Sequence, residues 1–387
     1  MRVLFFGDAM MKKLVLLFSF ILIFGAINLS AQTNESIRVG VYGDMSGPTA
    51  SFGTATYNGV KLAFDEINAA GGIEGRKIEI FLADDEGRPE RAKQVVEKLI
   101  SEQKVQALIG EVASSNSLAA APVAQTARIP MISPSSTNKL VTTVGDYIFR
   151  ACFIDPFQGE AMAKFAFNEL KLRRVAILSD HSSNYGTDLA ETFKITFTRL
   201  GGKIITEQTY AQTDPEFKTQ LRAIRRLKPD AIYLPGYYAQ AGIIVREARQ
   251  LKMNMPLLGG DGWDAPELWK LGGAALNNSY ITNHFSIDNP AAEIQNFIVK
   301  YKAEFGVKPD SLAALGYDAA YILADAFRRA KSSDGKKVRD ALAQTKDFLG
   351  VTGKITFNAS RDTVKPALVQ KLDTRNNTFV YRSTIAP

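Results

Sequence analysis

The sequence is poor in the residues on which disulfides and metal sites depend. Cys152 is the only cysteine among 387 residues, so a monomer has no internal disulfide. Its surroundings, FRACFID, are mostly apolar and predict a small buried core residue. His181 and His284 are the only histidines, so a zinc site would depend mainly on carboxylates. We therefore expect no metal site.

Motifs for nucleotide binding and for catalysis are also missing. There is no G-x-x-x-x-G-K-[ST] phosphate loop and no G-x-G-x-x-G fingerprint. In GDMSGP, Ser46 lies one position too late for a G-x-S-x-G nucleophile elbow. SDHSS holds the residue types of a triad, but sequence neighbours cannot point at one another in triad geometry. The sequence predicts no enzyme and no cofactor, with a secreted hydrolase kept as one alternative.

Positive charge is not concentrated anywhere along the chain. The formal net charge is +7, and no run of five or more Lys or Arg residues occurs. Nucleic-acid binding requires a concentrated basic stripe, so the basic residues are interpreted as solvated faces and no nucleic-acid partner is expected. With 46% hydrophobic residues, the chain can bury the cores of two domains.

The first 31 residues have the pattern of an export signal. Two lysines precede an apolar run over 14–27, and small residues follow as far as Ala31. This order predicts a secretory signal peptide over 1–31, with Met10 or Met11 as alternative starts. A single anchoring helix is the other interpretation, because the apolar run is near the length needed to span a bilayer. The expected location is periplasmic or extracytoplasmic.

After Ile37, apolar runs of strand length alternate with helical stretches. The first series of strands is IRVGVYG, KIEIFLAD, VQALIG and PMIS, with helices near 54–70, 89–102 and 116–127. The series restarts at RRVAILSD and continues through GKIITEQTY, DAIYLPG and MPLLGG, with helices near 185–200, 215–227 and 238–252. Alternation of this kind predicts α/β lobes with parallel sheets covered on both faces. Two series of this length indicate two doubly wound lobes.

The last third of the chain prevents a simple division into two halves. After SYITNHF come helical stretches near 290–305, 311–330 and 336–345, followed by the β-rich segments GKITFN and PALVQKLD. Helices without intervening strands cannot build a third sheet, so we expect them to pack on an existing lobe. The predicted division is 32–155 plus 286–360 for the first lobe and 156–285 plus 361–387 for the second. Ligands bind outside the carboxyl ends of the strands in such sheets, which predicts one cleft between the lobes.

The residues that follow the predicted strands suggest what the cleft binds. Hydroxyls dominate two neighbouring loops of the first half, at Ser114–Ser115 and Ser135–Thr137. The loops of the second half offer Tyr185, Tyr237 and Asp261. Hydroxyls and N–H groups beside a helix start can hold a carboxylate, and an aspartate opposite them can accept an ammonium. Together they predict a clamp for an amino acid.

Each of these features also has a simpler interpretation. Serines after a strand are common helix N-caps, which applies to Ser114–Ser117. Asp84 and Asp85 are interpreted as caps of the helix that starts near Pro89, rather than as metal ligands. Both interpretations remain open from the sequence alone.

Several motifs, in order from Ile37 to the C-terminus, resemble a known family. These are VGVYGDMSGPTASFG, AFDEINAAGGIEGRKIEI, DDEGRPERA, LIGEVASS, PMISPSST and GYDAAYILADA. They are similar to those of the periplasmic branched-chain amino-acid-binding proteins, the type I solute-binding components of ABC transporters. The resemblance implies two α/β lobes joined by three crossovers, with the ligand held in the cleft. It also implies a monomer that captures an amino acid, branched-chain or related, by hinge closure and delivers it to a membrane permease.

The resemblance assigns ligand contacts to four polar residues. Ser114 matches a serine whose hydroxyl and N–H hold the α-carboxylate. Thr137 matches a threonine that helps to hold both the carboxylate and the ammonium. Ser135 stands where the family often has alanine, and its carbonyl would accept from the ammonium. Asp261 stands where an acidic residue, often glutamate, neutralises the ammonium.

Aromatic residues complete the implied site. Tyr185 and Tyr237 match aromatics that close over the ligand, and Phe52 matches a position that lines the side-chain pocket. The sequence departs from many relatives at Gly87 and Ala113, where those proteins have a disulfide. The ligand side chain therefore stays open. A sensor or receptor for small amides, ureas or aromatic acids is the alternative use of the same fold.

Overall fold

The computed structural model describes residues 35–387, which fold around two β-sheets. The predicted signal peptide and the alternative starts Met10 and Met11 lie outside the described residues. Within residues 35–387, no helix is both long and apolar enough to span a bilayer.

The first sheet has five parallel strands in the order β2-β1-β3-β4-β5. The strands are β1 Ile37–Gly43, β2 Ile78–Asp84, β3 Ala107–Ile109, β4 Met131–Ser133 and β5 Ile148–Arg150. The helices that connect them are α1 Ala50–Ala69, α2 Pro89–Ser101, α3 Ser114–Ala127 and the short α4 Leu140–Thr143. Every residue of β3, β4 and β5 is buried, as expected for parallel strands with helices on both faces. The strand order reverses beside β1, so the loops after β1 and β3 open a crevice between them.

The second sheet repeats this arrangement and adds an antiparallel edge. Its order is β14-β13-β10-β9-β8-β6-β7, in which β13 and β14 run antiparallel to their neighbours. The strands are β6 Arg174–Asp180, β7 Lys203–Tyr210, β8 Ala231–Tyr233, β9 Leu257–Gly259, β10 Ser279–Asn283, β13 Ala367–Asp373 and β14 Thr378–Ile385. The helices are α5 Asp155–Lys164, α6 Asn184–Arg199, α7 Lys218–Arg226, α8 Tyr238–Gln250 and α9 Pro266–Gly272. Here the order reverses at β6, which opens a second crevice between β6 and β8.

The C-terminal helices return to the first sheet. They are α10 Ala292–Phe305, α11 Ser311–Ala330 and α12 Gly335–Ala343, followed by the hairpin β11 Phe348–Gly350 and β12 Gly353–Ile355. Helix α11 crosses α1 where both helices have a glycine. A Cβ at Gly59 would lie 2.0 Å from the carbonyl oxygen of Ala313, and one at Gly316 would lie 2.4 Å from that of Thr56. The absence of a side chain at both positions lets the two backbones touch.

The chain therefore passes between the two sheets three times. It leaves the first sheet after β5, returns after β10 to pack α11 on α1, and leaves again after β12 to enter β13. The predicted fold class, two doubly wound lobes joined by three crossovers, is confirmed. The predicted lobe boundaries at 155, 285 and 360 stay a prediction.

Two local predictions about helix starts are wrong. Helix α3 begins at Ser114 with Ala113 as its N-cap, and no side chain caps it. Helix α2 has Arg88 as N-cap, again with no side-chain cap. Asp84 instead accepts from the backbone of Met45 at 3.0 Å, and Asp85 from that of Gly87 at 2.9 Å. Both carboxylates therefore stabilise the loops at this edge of the first sheet.

Candidate functional site

A small cavity lies where the crevices of the two sheets face each other. It is lined by Phe52, Val112, Ser135, Tyr185, Tyr237, Asp261, Gly262 and Leu312. Five of the seven predicted ligand contacts, Phe52, Ser135, Tyr185, Tyr237 and Asp261, belong to this lining. The cavity has about 10 Å³ of free space, which is close to the minimum that holds one water molecule. A larger ligand therefore needs the two lobes to separate before it enters.

Asp261 provides the charge of this cavity. It follows β9, and only 5% of its surface is exposed. Its Oδ1 accepts hydrogen bonds from Gln158 Nε2 at 2.6 Å and from the Tyr185 hydroxyl at 2.9 Å. Its Oδ2 lies 2.9 Å from Nε2 of His284. No Lys or Arg of residues 35–387 forms an ion pair with this carboxylate.

The imidazole beside Asp261 is neutral. Burial lowers the pKa of His284 to about 4, although the hydrogen bond to Asp261 works in the opposite direction. We therefore assign the proton to Nε2, which donates to the carboxylate. Burial by itself would raise the pKa of Asp261, but its interactions with His284 and the hydrogen bonds from Gln158 and Tyr185 outweigh burial, and the net shift is downward. The cavity thus holds a carboxylate that favours its ionised form and that no Lys or Arg of residues 35–387 contacts as an ion pair.

Four aromatic rings from the two lobes meet at the cavity. Tyr185 and Tyr237, from the loops after β6 and β8, stack with ring centroids 5.2 Å apart and planes 8° from parallel. Phe52 lies in the first turn of α1 and makes edge-to-face contacts with two tyrosines. Its ring centroid is 5.7 Å from that of Tyr237 and 4.9 Å from that of Tyr238. The Tyr238 hydroxyl also donates to the carbonyl of Pro48 at 3.1 Å. These contacts hold the cleft closed and exclude water from Asp261.

The hydroxyls of the first lobe differ in how they are bonded. The side-chain oxygen of Ser135 is buried and has no hydrogen-bond partner within residues 35–387, whereas the buried hydroxyl of Thr137 lies beside the carboxylate of Asp155. Ser114 Oγ accepts from the backbone N–H of Asn138 at 3.2 Å. A buried polar group without a partner costs about 1–3 kcal/mol. The unpaired hydroxyl of Ser135 is therefore a donor that a polar ligand can satisfy.

Ser114 and Thr137 do not line the cavity itself. Ser114 is the first residue of α3, where the free N–H groups and the positive end of the helix dipole favour an anion. Thr137 is 1% exposed, and its carbonyl accepts from Asp155 N at 2.9 Å. Both lie on loops whose other residues, Val112 and Ser135, reach the cavity.

A layer of hydrogen bonds under the first lobe fixes these loops. The hydroxyls of Ser133 and Ser136 donate to the carbonyl of Glu111 at 2.8 and 2.9 Å. Arg150 donates to the carbonyl of Ser136 at 2.6 Å, and its Nε lies 2.7 Å from Oδ1 of Asp362. These hydrogen bonds therefore fix the backbone next to Ser135.

Gln158 and His284 were not predicted from the sequence. Gln158 lies on α5, a helix that was not predicted, and it is 103 residues from Asp261. His284 directly follows β10, so it shares the feature that identified the other contacts, a position just after a strand. Cys152, predicted to be a buried core residue, is fully buried, and burial raises the pKa of its thiol to about 12.

Comparison with known proteins gives consistent matches over the whole described chain. The family model described as "Periplasmic binding protein" matches residues 36–376. The leucine-binding protein LivK of Thermotoga maritima is 36% identical, with a TM-score of 0.87 over 91% of this chain and 99% of that one. The substrate-binding protein LivJ of Streptococcus pneumoniae, solved with isoleucine, is 34% identical, with a TM-score of 0.85 over 91% and 99%. A solute-binding protein of R. palustris, solved with benzoate, is 25% identical, with a TM-score of 0.83 over 91% and 97%.

Proposed function

This chain belongs to the periplasmic binding protein family, and from that premise we propose that it captures an amino acid, branched-chain or related, for an ABC importer. The observation that carries the proposal is the state of Asp261, a buried carboxylate with a lowered pKa that accepts hydrogen bonds from Gln158 and Tyr185 and has no Lys or Arg within ion-pair distance. A buried charge without a direct ion pair is costly, and an ammonium group is the counter-ion that fits a closed cavity.

The first-lobe side of the cleft is suited to the α-carboxylate of an amino acid. The hydroxyl of Ser135 lacks a partner within residues 35–387, the hydroxyl of Thr137 is buried nearby, and Ser114 begins helix α3. We assign the α-carboxylate of the ligand to these three residues. Donors at a helix N-terminus and a hydroxyl without a partner are together suited to an anion.

The remaining walls are apolar, which supports an aliphatic ligand side chain. Phe52, Val112 and Leu312 line the cavity and carry no polar side-chain atoms. Burial of a leucine-sized side chain contributes about 1.5–3 kcal/mol. Branched-chain amino acids therefore fit the polar and apolar parts of the site together.

Capture requires the two lobes to move apart and close again. The polar contacts between the lobes include Ser115 Oγ to Asn184 Oδ1 at 2.9 Å and Asn138 Nδ2 to the carbonyl of Asn184 at 3.1 Å. These contacts break when the cleft opens, and the ligand adds contacts to both lobes when it closes. Affinity then depends on the difference in contacts between open and closed states.

We further propose that the protein is a monomer without catalytic activity that acts outside the cytoplasm and delivers its ligand to membrane permease subunits. The imidazole of His284 contacts Asp261 and the ring of Phe153, and no serine hydroxyl of residues 35–387 is hydrogen-bonded to it. Ser114 therefore has no general base. Family membership and the predicted signal peptide over 1–31 support the extracytoplasmic location.

Calorimetry on refolded, ligand-stripped protein tests the proposal. Leucine, isoleucine, valine, threonine and alanine form the panel, with benzoate, acetamide and urea as comparison ligands. We expect the branched-chain amino acids to bind most tightly, because they satisfy Asp261 and fill the apolar wall. If none of the amino acids binds, the proposal is wrong. Independently, the natural ligand can be identified by denaturing the purified protein and analysing the released small molecules by mass spectrometry.

The alternative is a receptor for small amides, ureas or aromatic acids. The benzoate complex of the R. palustris protein favours this second candidate, because its fold is similar over nearly its full length. The charge on Asp261 opposes it, since a benzoate anion in the same cavity would face a carboxylate. Benzoate that binds more tightly than leucine would support this alternative.

A further inference from the structure

A second cavity, which we call the lateral pocket, lies outside the cleft. It has a volume of about 380 Å³ and shares no residue with the lining of the cleft cavity. It is formed by the start of α9, the end of β10, the loop before α11 and the hairpin between β13 and β14. A volume of this size is within the range of small-molecule sites.

The floor of the lateral pocket carries two carboxylates, Asp264 and Asp310. Asp264 is 5% exposed, and its Oδ2 accepts from Asn283 Nδ2 at 2.9 Å and from the backbone of Ser311 at 3.0 Å. Asp310 caps α11, where its Oδ1 accepts from the N–H of Ala313 at 2.8 Å. Both carboxylates line the lateral pocket, where a ligand can contact them.

No cation of residues 35–387 is paired with either carboxylate. Burial, with the charge of Asp264 as the next cause, raises the pKa of Asp310 to about 8. Burial also raises the pKa of Asp264. The pair therefore retains a proton near neutral pH, and a bound cation can replace that proton. Lys308, at the mouth of the pocket, is exposed and forms no ion pair within this part of the chain.

The walls above the carboxylates are aromatic. Trp269 and Phe379 lie with ring centroids 5.1 Å apart and planes 56° from parallel, and Phe285 lines the pocket beside them. Aromatic faces attract organic cations, with Trp the strongest. A divalent metal ion fits less well, because it prefers several oxygen ligands and no group of three or more acidic, His or Cys side chains in residues 35–387 is placed to hold one.

We propose that the lateral pocket binds a small organic cation, a primary ammonium on an apolar or aromatic body. The ammonium lies between Asp264 and Asp310, and the body packs on Trp269 and Phe379. A cation of this kind replaces the proton held by the two carboxylates and covers the aromatic wall at the same time.

Titration of benzylammonium into the full chain, by calorimetry or NMR, tests the proposal. The cleft is first saturated with its amino acid, so that Asp261 is occupied. Asp264→Asn and Asp310→Asn keep the side-chain size, and asparagine still caps a helix. We expect each to weaken benzylammonium at least tenfold, on the order expected when a charged hydrogen bond is lost.

The controls separate the lateral pocket from the cleft and from other ligands. Asp146→Asn, which changes a carboxylate outside the lateral pocket, should leave benzylammonium affinity within about twofold. Benzyl alcohol, which has the same shape without the charge, should not bind. Trp269→Leu leaves both carboxylates intact and should weaken binding, so the proposal stays testable if the aspartate variants do not fold. The Lys308→Ala variant should bind benzylammonium as tightly as wild type or more tightly.

Three results would overturn the proposal. One is benzylammonium binding that Asp261→Asn abolishes and Asp264→Asn leaves unchanged. A second is equal affinity for benzyl alcohol, and the third is tighter binding of calcium chloride than of benzylammonium. Affinity should also increase as the pH rises through 8, because Asp310, with a pKa of about 8, then loses its proton.

Discussion

His284 donates its Nε2 proton to Oδ2 of Asp261 over 2.9 Å, and this neutral donor helps to keep a buried carboxylate ionised. The imidazole is itself fixed by the ring of Phe153, which stacks on it with centroids 3.7 Å apart. Because Gln158 and Tyr185 already donate to Oδ1, the free acceptor position of Asp261 is on Oδ2. The carboxylate therefore has room for one strong donor from a ligand, which suits a single ammonium N–H.

Replacement of Asp261 by Asn should weaken an α-amino ligand by about 2 kcal/mol or more, as expected when one partner of a buried charge pair is removed. The change removes the charge and keeps the size of the side chain. Calorimetry with leucine, or whichever amino acid binds most tightly, measures the effect. Asp310→Asn, which alters a carboxylate outside the cleft cavity, is the control and should leave affinity unchanged. Unchanged affinity in Asp261→Asn would mean that the ligand has no ammonium there and would favour an amide, a urea or an aromatic acid.

The contribution of His284 to stability should fall between pH 7 and pH 4.5. Its pKa is about 4 in the folded protein and 6.5 in the unfolded chain, so the unfolded chain binds the proton first. For this residue, the free energy of unfolding therefore decreases as the pH falls through this window, by about 2 kcal/mol. Asp261, whose folded pKa is lowered, loses its contribution only below pH 3.8 and does not affect this window.

Urea unfolding of wild type and His284→Gln at the two pH values measures this contribution. Glutamine retains an N–H donor but does not titrate, so the stability of wild type relative to His284→Gln should decrease by about 2 kcal/mol from pH 7 to pH 4.5, and this difference isolates the histidine. His181→Gln is the matched control, because His181 is the only other histidine and is exposed. Identical pH dependence in wild type and His284→Gln would contradict the neutral, buried state of His284.

Ser135 and Ser136, adjacent in sequence, should respond in opposite ways to alanine. Ser135 Oγ has no hydrogen-bond partner within residues 35–387 and lines the cavity, so Ser135→Ala should weaken the ligand by about 1 kcal/mol and leave stability unchanged. Ser136 Oγ bonds Ser117 Oγ at 2.8 Å and the carbonyl of Glu111 at 2.9 Å. Ser136→Ala should therefore destabilise the fold by about 1–3 kcal/mol. Thermal unfolding and ligand titration of both variants separate the two effects, and a stability loss in Ser135→Ala would mean that its hydroxyl serves the fold.

The sequence predicted the strands of the parallel sheets where apolar runs are long, because buried parallel strands leave a continuous pattern. It missed β5. It also missed α5, whose buried face consists of small residues such as Gly159 and Ala161, and whose pattern is consequently weakly amphipathic. Strand β14 was missed as well, because most of its residues are partly or fully exposed.

The site was predicted in part for a topological reason. Residues that follow parallel strands converge at one edge, so Tyr185, Tyr237 and Asp261 could be grouped without coordinates. The partners of Asp261 could not, because Gln158 comes from a helix and meets it only through the packing of α5 on the second sheet. Which serine hydroxyls are bonded also depends on side-chain geometry that the sequence pattern does not contain.

The ion pair of Arg150 and Asp362 should contribute strongly to stability and indirectly to binding. Arg150 is fully buried, its Nε lies 2.7 Å from Asp362, and it donates to the carbonyl of Ser136, next to the proposed carboxylate contacts. Arg150→Met leaves the buried carboxylate of Asp362 unpaired and should lower the free energy of unfolding by about 3–5 kcal/mol. As a control, replacement of Lys61, which forms an exposed ion pair with Asp65, should lower it by no more than about 1 kcal/mol. Adding Asp362→Leu to Arg150→Met should recover part of the loss in a urea titration, because it removes the stranded carboxylate. If the double variant is as unstable as the sum of its single changes, the two residues act independently, and the loop that carries Ser136 is held by other contacts.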